Sequence, residues 1–505
     1  MIKFSETLPA LLQVAKADHT AVVSPEHGVR ITYDSLRHQV HAMAGALASA
    51  GIRPGDRVAM ALPNGLPAIV TFLAASTAGT AAPLNPAYKH DEFRFFLEDT
   101  AARVLICPPK GAEEARRAAG ELKIPVMAVE MDAHGTVHLL DAPEPTVAPH
   151  PGTKDVALVL HTSGSTGRPK RVPLRHKNLA HSAANIVHTY VLSAHDVSLC
   201  VMPLFHVHGL VASTLATFLS GGTVVIPAKF DALSFWRVVR ENHVTWWSGV
   251  PTMFQVLLAR AGNKRPAGAE SLRFMRSCST PISADIIHRM EELFGVPLVE
   301  AYGMTEAAHQ MASNPLPPRL RKPGSVGMPA DVRVSIVDPH GRHLHGLDQR
   351  GEVVIRGANV FSGYEGDSKA HSESFVDGWF RTGDEGYLDE DGYLHLTGRL
   401  KELINRAGEK ISPREIDAVL MKNQSVAEAV TFGFPHPTFG EEVAAAVVLH
   451  QSEMESEASL MKHCREHLAE FKCPKKLYIV DHIPQTATGK VRRNAVATAL
   501  MDGNR

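Results

Sequence analysis

Short apolar runs alternate with segments of helical period along residues 1–398, which is the pattern of α/β layers. The clearest run, residues 156–160, is followed by a polar, glycine-rich turn and predicts a buried strand that leads into a loop. Two further runs, residues 332–337 and Gly351–Arg356, predict strands of a more antiparallel region. Alternating residues around Asp391-Gly392 predict a hairpin over residues 387–396, because Asp-Gly supplies the positive φ angles of a tight turn.

The composition changes after Arg399, where segments rich in lysine and glutamate begin. Ser412 can cap a helix that has Pro413 at its first position, and Glu415 can close the capping box. Apolar residues then recur on one face of this helix, at Ile416, Val419 and Leu420. We therefore predict a large α/β domain over residues 1–398 and a separate small α+β domain over residues 399–505.

Length and charge narrow the class of protein. The 505 residues correspond to about three lobes. The 52 Lys and Arg balance the 53 Asp and Glu to a net charge of -1, which argues against a dedicated nucleic-acid or anionic-membrane surface. The most apolar window, residues 66–84, contains Ala, Thr, Gly and Pro and predicts a packed core helix rather than a membrane span.

Cysteine and histidine usage bears on compartment and metal binding. The five cysteines are scattered without a CxxC pair, which favours a reduced intracellular compartment. The first residues lack the pattern of a secretory signal, so we expect a cytoplasmic protein. The 28 histidines include no HExxH motif and no Cys/His cluster with zinc spacing.

Residues 161–170 carry the strongest local signal, His161-Thr162-Ser163-Gly164-Ser165-Thr166-Gly167-Arg168-Pro169-Lys170. Small glycines let backbone amides approach an anion, hydroxyls donate further hydrogen bonds, and a lysine adds charge, so the loop favours phosphate binding over a plain solvated turn. The loop is not a Walker A motif, because Pro169 stands five positions after Gly164. No GxGxxG motif follows a plausible strand, which disfavours NAD chemistry.

This loop resembles the signature of the adenylate-forming superfamily of acyl-CoA synthetases, luciferases and adenylation domains. Further matches follow in order along the chain: Gly55-Asp56-Arg57-Val58, Leu62-Pro63-Asn64, Leu84-Asn85-Pro86, Pro203-Leu204-Phe205-His206, Glu300-Ala301-Tyr302-Gly303-Met304-Thr305-Glu306, Thr382-Gly383-Asp384, Gly398-Arg399-Leu400-Lys401-Glu402, Gly408-Glu409-Lys410-Ile411 and Thr488-Gly489-Lys490. The resemblance implies an N-terminal adenylation domain of α/β layers with a distorted β-barrel subdomain, followed by a small mobile C-terminal domain.

The resemblance also implies a two-step reaction with ATP, Mg²⁺ and coenzyme A. A carboxylate attacks the α-phosphate of ATP to give acyl-AMP and pyrophosphate, and the CoA thiol then displaces AMP. Because the first step crowds anionic oxygens together, cations and hydrogen-bond donors should dominate catalysis. The implied partners are small molecules only, with no nucleic acid and no membrane span.

Residue roles in the nucleotide site follow by resemblance. The β- and γ-phosphates are expected at Thr162, Ser163, Gly164, Ser165, Thr166, Gly167 and Lys170. Glu306 is expected to hold Mg²⁺, Thr305 to contact the α-phosphate, and Asp384 and Arg399 to reach the ribose. Tyr302 is expected to stack on adenine, with the rest of the base site formed by Ser279, Thr280, Pro281, Glu300, Ala301, Gly303 and Met304.

The C-terminal matches imply the moving parts. Lys490 is the expected catalytic cation between the substrate carboxylate and the α-phosphate, and Lys401 is the expected hinge. After adenylation the small domain should swing to present Gly408 and Lys410 to CoA. Arg171 departs from the family, which usually has glycine there, and it either perturbs the backbone or adds charge near a phosphate.

The expected acid pocket is unusually polar, with candidates at His206, His208, Ser277, Ser279 and His309. The strings around them resemble oxalyl-CoA synthetases. Oxalate keeps a second carboxylate after activation, and this anion needs donors because a buried unpaired charge is costly. The alternative is that several of these side chains face away from the pocket.

Two other classes of function stay open at this point. Malonyl-CoA synthetases carry arginine before the motif tyrosine, where this chain has Ala301, which favours oxalate without excluding other short-chain or aromatic acids. A luciferase-like or stand-alone adenylation protein would instead deliver its acyl-AMP to another acceptor.

Overall fold

The computed structural model describes residues 6–162, 169–407, 409–450, 453–484, 491 and 493–502. The first layer is a seven-stranded sheet, parallel at its centre, with the strand order Val137–Leu139, Val126–Met131, Ala102–Cys107, Arg57–Met60, Thr80–Pro83, Val156–Thr162 and Lys170–Arg175. The strand predicted from residues 156–160 is confirmed as Val156–Thr162, and its apolar centre is buried. It delivers the chain to the glycine-rich loop at the carboxyl end of the strand.

The second layer is a nine-stranded sheet, again parallel at its centre. Its order is Met328–Pro329, His309–Ser313, Leu298–Met304, Phe274–Ser277, Trp246–Gly249, Val197–Leu199, Thr223–Val225, Thr20–Ser24 and Val29–Thr32. Three neighbouring strands of this sheet (Trp246–Gly249, Phe274–Ser277 and Leu298–Met304) run parallel, so their carboxyl ends meet at one edge. In open α/β sheets this edge is where ligands bind.

Helices cover the two sheets and fill the space between them. In the N-terminal part they span Leu8–Leu11, Tyr33–Ser49, Leu66–Ala78, His90–Thr100, Glu113–Glu121, His176–Tyr190, Ala216–Ser220, Phe235–Glu241, Pro251–Ala261, Ala284–Phe294 and Ser368–Glu373. A π-helical segment, His208–Leu215, precedes Ala216–Ser220, and short 3-10 turns lie at Pro25–His27, Ala269–Ser271 and Thr305–Ala307. The apolar window at residues 66–84 forms the buried helix Leu66–Ala78 and the buried strand Thr80–Pro83, as predicted for core. None of the helices in the described part of the chain is long and apolar enough to cross a membrane.

A six-stranded antiparallel sheet follows. It has the order His343–Leu344, Arg333–Val337, Gly351–Arg356, Trp379–Leu388 and Phe375–Val376, and Leu394–Arg399 also pairs with Trp379–Leu388. The predicted hairpin is confirmed, with Gly392 at a φ of +79° in its turn. The hairpin matters for function because its two strands bring Asp384 and Arg399 directly opposite each other.

The C-terminal part is a five-stranded sheet with its own core. Strands Glu409–Ile411, Ile404–Arg406, Gly440–Leu449 and Val426–His436 pair in this order, and Lys476–Ile479 pairs with Gly440–Leu449. The helices are Pro413–Leu420, Glu457–His467 and Arg493–Asp502, with a 3-10 turn at Glu470–Lys472. The mixed α/β fold with a large N-terminal and a small C-terminal domain is thus confirmed, while the boundary at residue 398 stays a prediction.

The predicted cap of helix Pro413–Leu420 is wrong in its chemistry. The helix starts at Pro413 as predicted, but the Ser412 side chain makes no capping hydrogen bond. Its hydroxyl donates instead to the Thr397 carbonyl on the last strand of the six-stranded sheet. The Ser412 hydroxyl thus donates to a distant carbonyl instead of accepting from a backbone N–H of the helix.

Candidate active site

Glu306 lies at the centre of the expected phosphate site. It follows the strand Leu298–Met304 in the short turn Thr305–Ala307 and is 5% exposed. Its Oε1 accepts hydrogen bonds from the Tyr364 hydroxyl at 2.8 Å and from the Thr162 hydroxyl at 3.5 Å. The Lys170 ammonium lies 4.6 Å from the centroid of the Tyr364 ring. A buried carboxylate held by hydroxyl donors beside a cation fits the oxygen ligands that Mg²⁺ prefers.

Tyr364 was not identified from the sequence, since it belongs to no recognised motif. Burial, and next the neighbouring Glu306 carboxylate, raise the pKa of the Tyr364 hydroxyl, so the hydroxyl stays protonated and donates. The two residues after it are also anchored. Glu365 pairs with Arg57 at 2.8 Å, and a Cβ on Gly366 would lie 2.2 Å from a guanidinium nitrogen of Arg171.

Of the two expectations for Arg171, a perturbed backbone is wrong, because the residue continues the regular antiparallel pairing opposite His161. Its guanidinium donates to the Asp99 carbonyl and lies 3.8 Å from the Asp99 carboxylate. The other expectation, added charge near a phosphate, stays a prediction. The other loop residues named above, Ser163–Gly167, lie outside the described residues.

Asp384 is the hub of the expected ribose site and is 3% exposed. The Tyr302 hydroxyl donates to its Oδ2, and the Arg399 Nε lies 3.0 Å from its Oδ1. Burial, followed by the Asp384 charge, raises the pKa of Tyr302 well above its usual range, so Tyr302 remains a donor. The structure therefore brings Tyr302, Asp384 and Arg399 together.

The other residues of the strand Leu298–Met304 make contacts within the protein. The Glu300 Oε2 accepts from the Gly324 backbone amide at 3.0 Å, and burial of the Glu300 carboxyl raises its pKa to about 8. Gly303 must lack a side chain, because a Cβ there would lie 2.1 Å from the His309 carbonyl oxygen. Ala301 is buried opposite Ser313, and Met304 is opposite His309.

Behind Gly303 lies a buried polar cluster. The rings of His208 and His309 stack with their centroids 5.1 Å apart. His208 Nδ1 is 3.2 Å from the Ser279 hydroxyl and its Nε2 is 2.7 Å from the Ser248 hydroxyl. The His206 ring accepts from the His208 backbone amide at 3.3 Å. Four of the five expected pocket residues are therefore connected.

Backbone strain marks the same place. Ser279 has a φ of +79°, Ala308 of +50° and His309 of +112°, in the region that favours glycine. Such strain persists only where the surroundings over-determine it, and it concentrates at functional sites. Thr280, which follows Ser279, is half-buried, and Pro281 is exposed.

Ser277 was expected in the acid pocket, but its neighbour Arg276 is the residue that contacts the pocket histidines. The Ser277 hydroxyl is buried and has no hydrogen-bond partner in the described chain. Its neighbour Arg276 is completely buried and donates to His309 Nε2 at 3.0 Å and to the Ser248 hydroxyl at 2.9 Å. Successive residues of a strand point to opposite faces, so Arg276 is the one on the side of the histidines. A charged residue within a four-residue buried strand was the available signal.

Little of the expected C-terminal chemistry falls within the described residues. Gly408, Lys490 and the side chain of Lys410 lie outside them, and Lys401 is in an exposed turn. Arg493, three positions after Lys490, is described: its guanidinium lies 2.6 Å from Asp417 and 3.2 Å from Glu402. It thereby ties the start of the last helix to the segment next to Lys401.

Known families match both parts of the chain. The family described as AMP-binding enzyme matches residues 12–365, and the one described as AMP-binding enzyme C-terminal domain matches residues 415–490.

Similar proteins align over nearly the whole length. CCL9 of Humulus lupulus, a probable CoA ligase, is 45% identical over 97% of this chain and 96% of its own. An oxalate–CoA ligase of Arabidopsis thaliana is 42% identical over 99% of both chains, and a sulfoacetate–CoA ligase of Cupriavidus necator is 36% identical over 97% of both.

The crystal structure of ATP-bound MatB from Rhodopseudomonas palustris has a TM-score of 0.91 to this chain, with 31% identity over 99% of this chain and 100% of MatB. The apo form of MatB has a lower TM-score of 0.79. Together with the site geometry, these matches show that the chain belongs to the AMP-binding enzyme family and is an AMP-forming acid–CoA ligase that uses ATP, Mg²⁺ and coenzyme A.

Proposed function

We propose that this ligase activates oxalate and converts it to oxalyl-CoA. The observation that carries the proposal is the buried polar cluster behind Gly303, where stacked His208 and His309 stand in place of an apolar acyl tunnel. A second carboxylate that stays charged after activation needs donors in such a pocket. The named acids of two relatives, oxalate and sulfoacetate, share this property, because each carries two anionic groups.

The first step joins a carboxylate oxygen of the acid to the α-phosphorus of ATP and breaks the bond to the β-phosphate oxygen, so pyrophosphate leaves. Thr162, Lys170 and the loop Ser163–Gly167 bind the β- and γ-phosphates, and Thr305 contacts the α-phosphate. Glu306 would hold Mg²⁺, which when bound neutralises phosphate charge. Each contact opposes charge that builds up as pyrophosphate departs.

The nucleoside is held by the hub at Asp384. Its carboxylate accepts the ribose hydroxyls, with Arg399 beside it, and Tyr302 stacks on the adenine. The remainder of the base site is the strand end and the turn after Ser277, namely Ser279, Thr280, Pro281, Glu300, Ala301, Gly303 and Met304. Of these, Glu300 contributes its backbone to the base site, because its side chain is hydrogen-bonded to the Gly324 amide.

The second step is assigned to the small domain. Lys490 bridges the acid and the α-phosphate during adenylation, and rotation at Lys401 then removes it. Gly408 and Lys410 next line the path of CoA, whose sulfur attacks the acyl carbon while AMP leaves. Substitution Lys490→Ala is expected to abolish acyl-adenylate formation yet spare thioester formation from supplied acyl-AMP.

The test is a panel of acids with ATP and CoA: oxalate, malonate, sulfoacetate, acetate, benzoate and octanoate. AMP release gives kcat/KM for each acid, and mass spectrometry identifies the thioester. We expect oxalate to have the highest kcat/KM. Preference for malonate would mean that the substrate is this longer dicarboxylate rather than oxalate. Preference for benzoate or octanoate would overturn the polar-pocket assignment.

A further inference from the structure

Arg276 is a buried cation whose partners are all neutral. It is 0% exposed, and its guanidinium donates to the hydroxyls of Tyr190 at 2.8 Å and Ser248 at 2.9 Å, to His309 Nε2 at 3.0 Å and to Gln310 Oε1 at 3.1 Å. Within the described ranges it forms no ion pair with a carboxylate. Each guanidinium nitrogen has a hydrogen-bond partner, but no described carboxylate neutralises the charge.

Other arginines of the structure are paired with carboxylates. Arg399 faces Asp384, Arg493 faces two carboxylates, and Arg273, three residues before Arg276, pairs with Asp196. A buried charge without an opposite charge costs several kcal/mol. Burial also raises the pKa of Tyr190, so this neighbour stays neutral and provides no anion.

The charge of Arg276 reaches both pocket histidines. A guanidinium has donors only, so His309 Nε2 must accept and the proton of His309 is on Nδ1. The Ser248 hydroxyl must likewise accept from Arg276, and it lies 2.7 Å from His208 Nε2. His309 itself has a strained backbone conformation, with a φ of +112°.

We propose that Arg276 is a specificity-determining positioning residue, whose buried charge, acting through His309 and the Ser248–His208 pair, selects small acids that keep a second anionic group after activation. The inference rests on the acid pocket of the proposed function and names the source of its selectivity. A monoanionic acid loses its charge on adenylation and leaves Arg276 without a counter-charge. A dianionic acid supplies that counter-charge.

The sharpest variant is Gln310→Glu, because it adds a carboxylate at the position that already accepts from Arg276. The charge is then neutralised in place without removing the arginine. We expect kcat/KM for oxalate to fall on the order of 100-fold through KM. We expect kcat/KM for glyoxylate, a monoanion of similar size, to change little, and the melting temperature to be maintained or raised.

Arg276→Met and Arg276→Lys complete the series, with Arg273→Met as the matched control that removes a neighbouring arginine outside the pocket. Arg276→Met should lose the preference for oxalate over glyoxylate, and Arg276→Lys should recover part of it because the charge remains. Arg273→Met should keep the preference even if its melting temperature falls. The KM for ATP should stay at the wild-type value in all four variants.

The outcomes separate this inference from the proposed function. If Gln310→Glu keeps the wild-type ratio of oxalate to glyoxylate, or if oxalate and glyoxylate fall equally in folded Arg276→Met, Arg276 is structural only. If the wild type itself prefers monoanionic acids, the proposed function fails regardless of the variants.

Discussion

Removing the hydroxyl of Tyr364 should weaken the phosphate site without disturbing its shape. In Tyr364→Phe the Glu306 carboxylate loses its 2.8 Å hydrogen bond, while the ring 4.6 Å from the Lys170 ammonium remains. A hydrogen bond to a charged group contributes about 1.5–3 kcal/mol. Because ~1.4 kcal/mol corresponds to tenfold, kcat/KM for ATP should fall by about 10- to 100-fold at limiting Mg²⁺.

The assay is acyl-hydroxamate trapping of the adenylation step over a titration of Mg²⁺. Tyr364→Phe should need more Mg²⁺ for half-maximal rate, because Glu306 keeps only the longer hydrogen bond, from Thr162. Tyr364→Leu, which also removes the ring beside Lys170, should lose more. A Tyr364→Phe enzyme within about twofold of wild type at limiting Mg²⁺ would refute the reasoning.

Three further predictions concern other parts of the structure. Arg493→Met should slow adenylation at least about tenfold, yet leave thioester formation from supplied acyl-AMP nearly unchanged, because it removes two ion pairs three positions after Lys490, the proposed catalytic residue. Equal slowing of both half-reactions, measured by stopped flow, would contradict it. Burial raises the pKa of Glu300 to about 8 from an ordinary 4.5, so the folded state binds this proton more tightly than the unfolded state. The contribution of Glu300 to the free energy of unfolding is therefore fully present below pH 4.5 and is lost as the pH rises toward 8. Glu300→Gln should therefore gain melting temperature relative to wild type as pH rises from 5 to 8, and a constant difference across this range would argue against it. Gly303→Ala should displace the His309 carbonyl, which a Cβ would approach to 2.1 Å, and abolish acid activation; a crystal structure with an unmoved His309 would contradict it.

The parts of the fold predictable from sequence are those set by local pattern. The strand at residues 156–162 and the hairpin around Gly392 follow from runs of apolar residues and a turn dipeptide, which act over a few residues. Ser412 shows the limit of this reasoning. The capping box is a local signal, but the Ser412 hydroxyl forms its hydrogen bond with the Thr397 carbonyl, 15 positions earlier in the chain.

In the candidate site too, residues in recognisable motifs could be predicted, while residues related only by the fold could not. Motif order identified Glu306, Asp384 and Arg399, because these residues stand in recognisable strings. Tyr364 could not be found, since nothing near it in sequence relates it to Glu306. Gln310 directly follows the predicted His309, but no local pattern relates it to Arg276. Alternation along Phe274–Ser277 could have shown that Arg276 rather than Ser277 shares a face with the histidines, but only once the strand and its neighbours were known.

Two ion pairs on either side of Lys401 bear on the proposed rotation of the small domain. Arg399 pairs with Asp384, and Glu402 pairs with Arg493. Only Leu400 and Lys401 lie between Arg399 and Glu402, so a rotation that keeps both ion pairs has to be absorbed by a few backbone torsions around these two residues. Under the proposed function, the joint would then be a short swivel rather than a flexible tether.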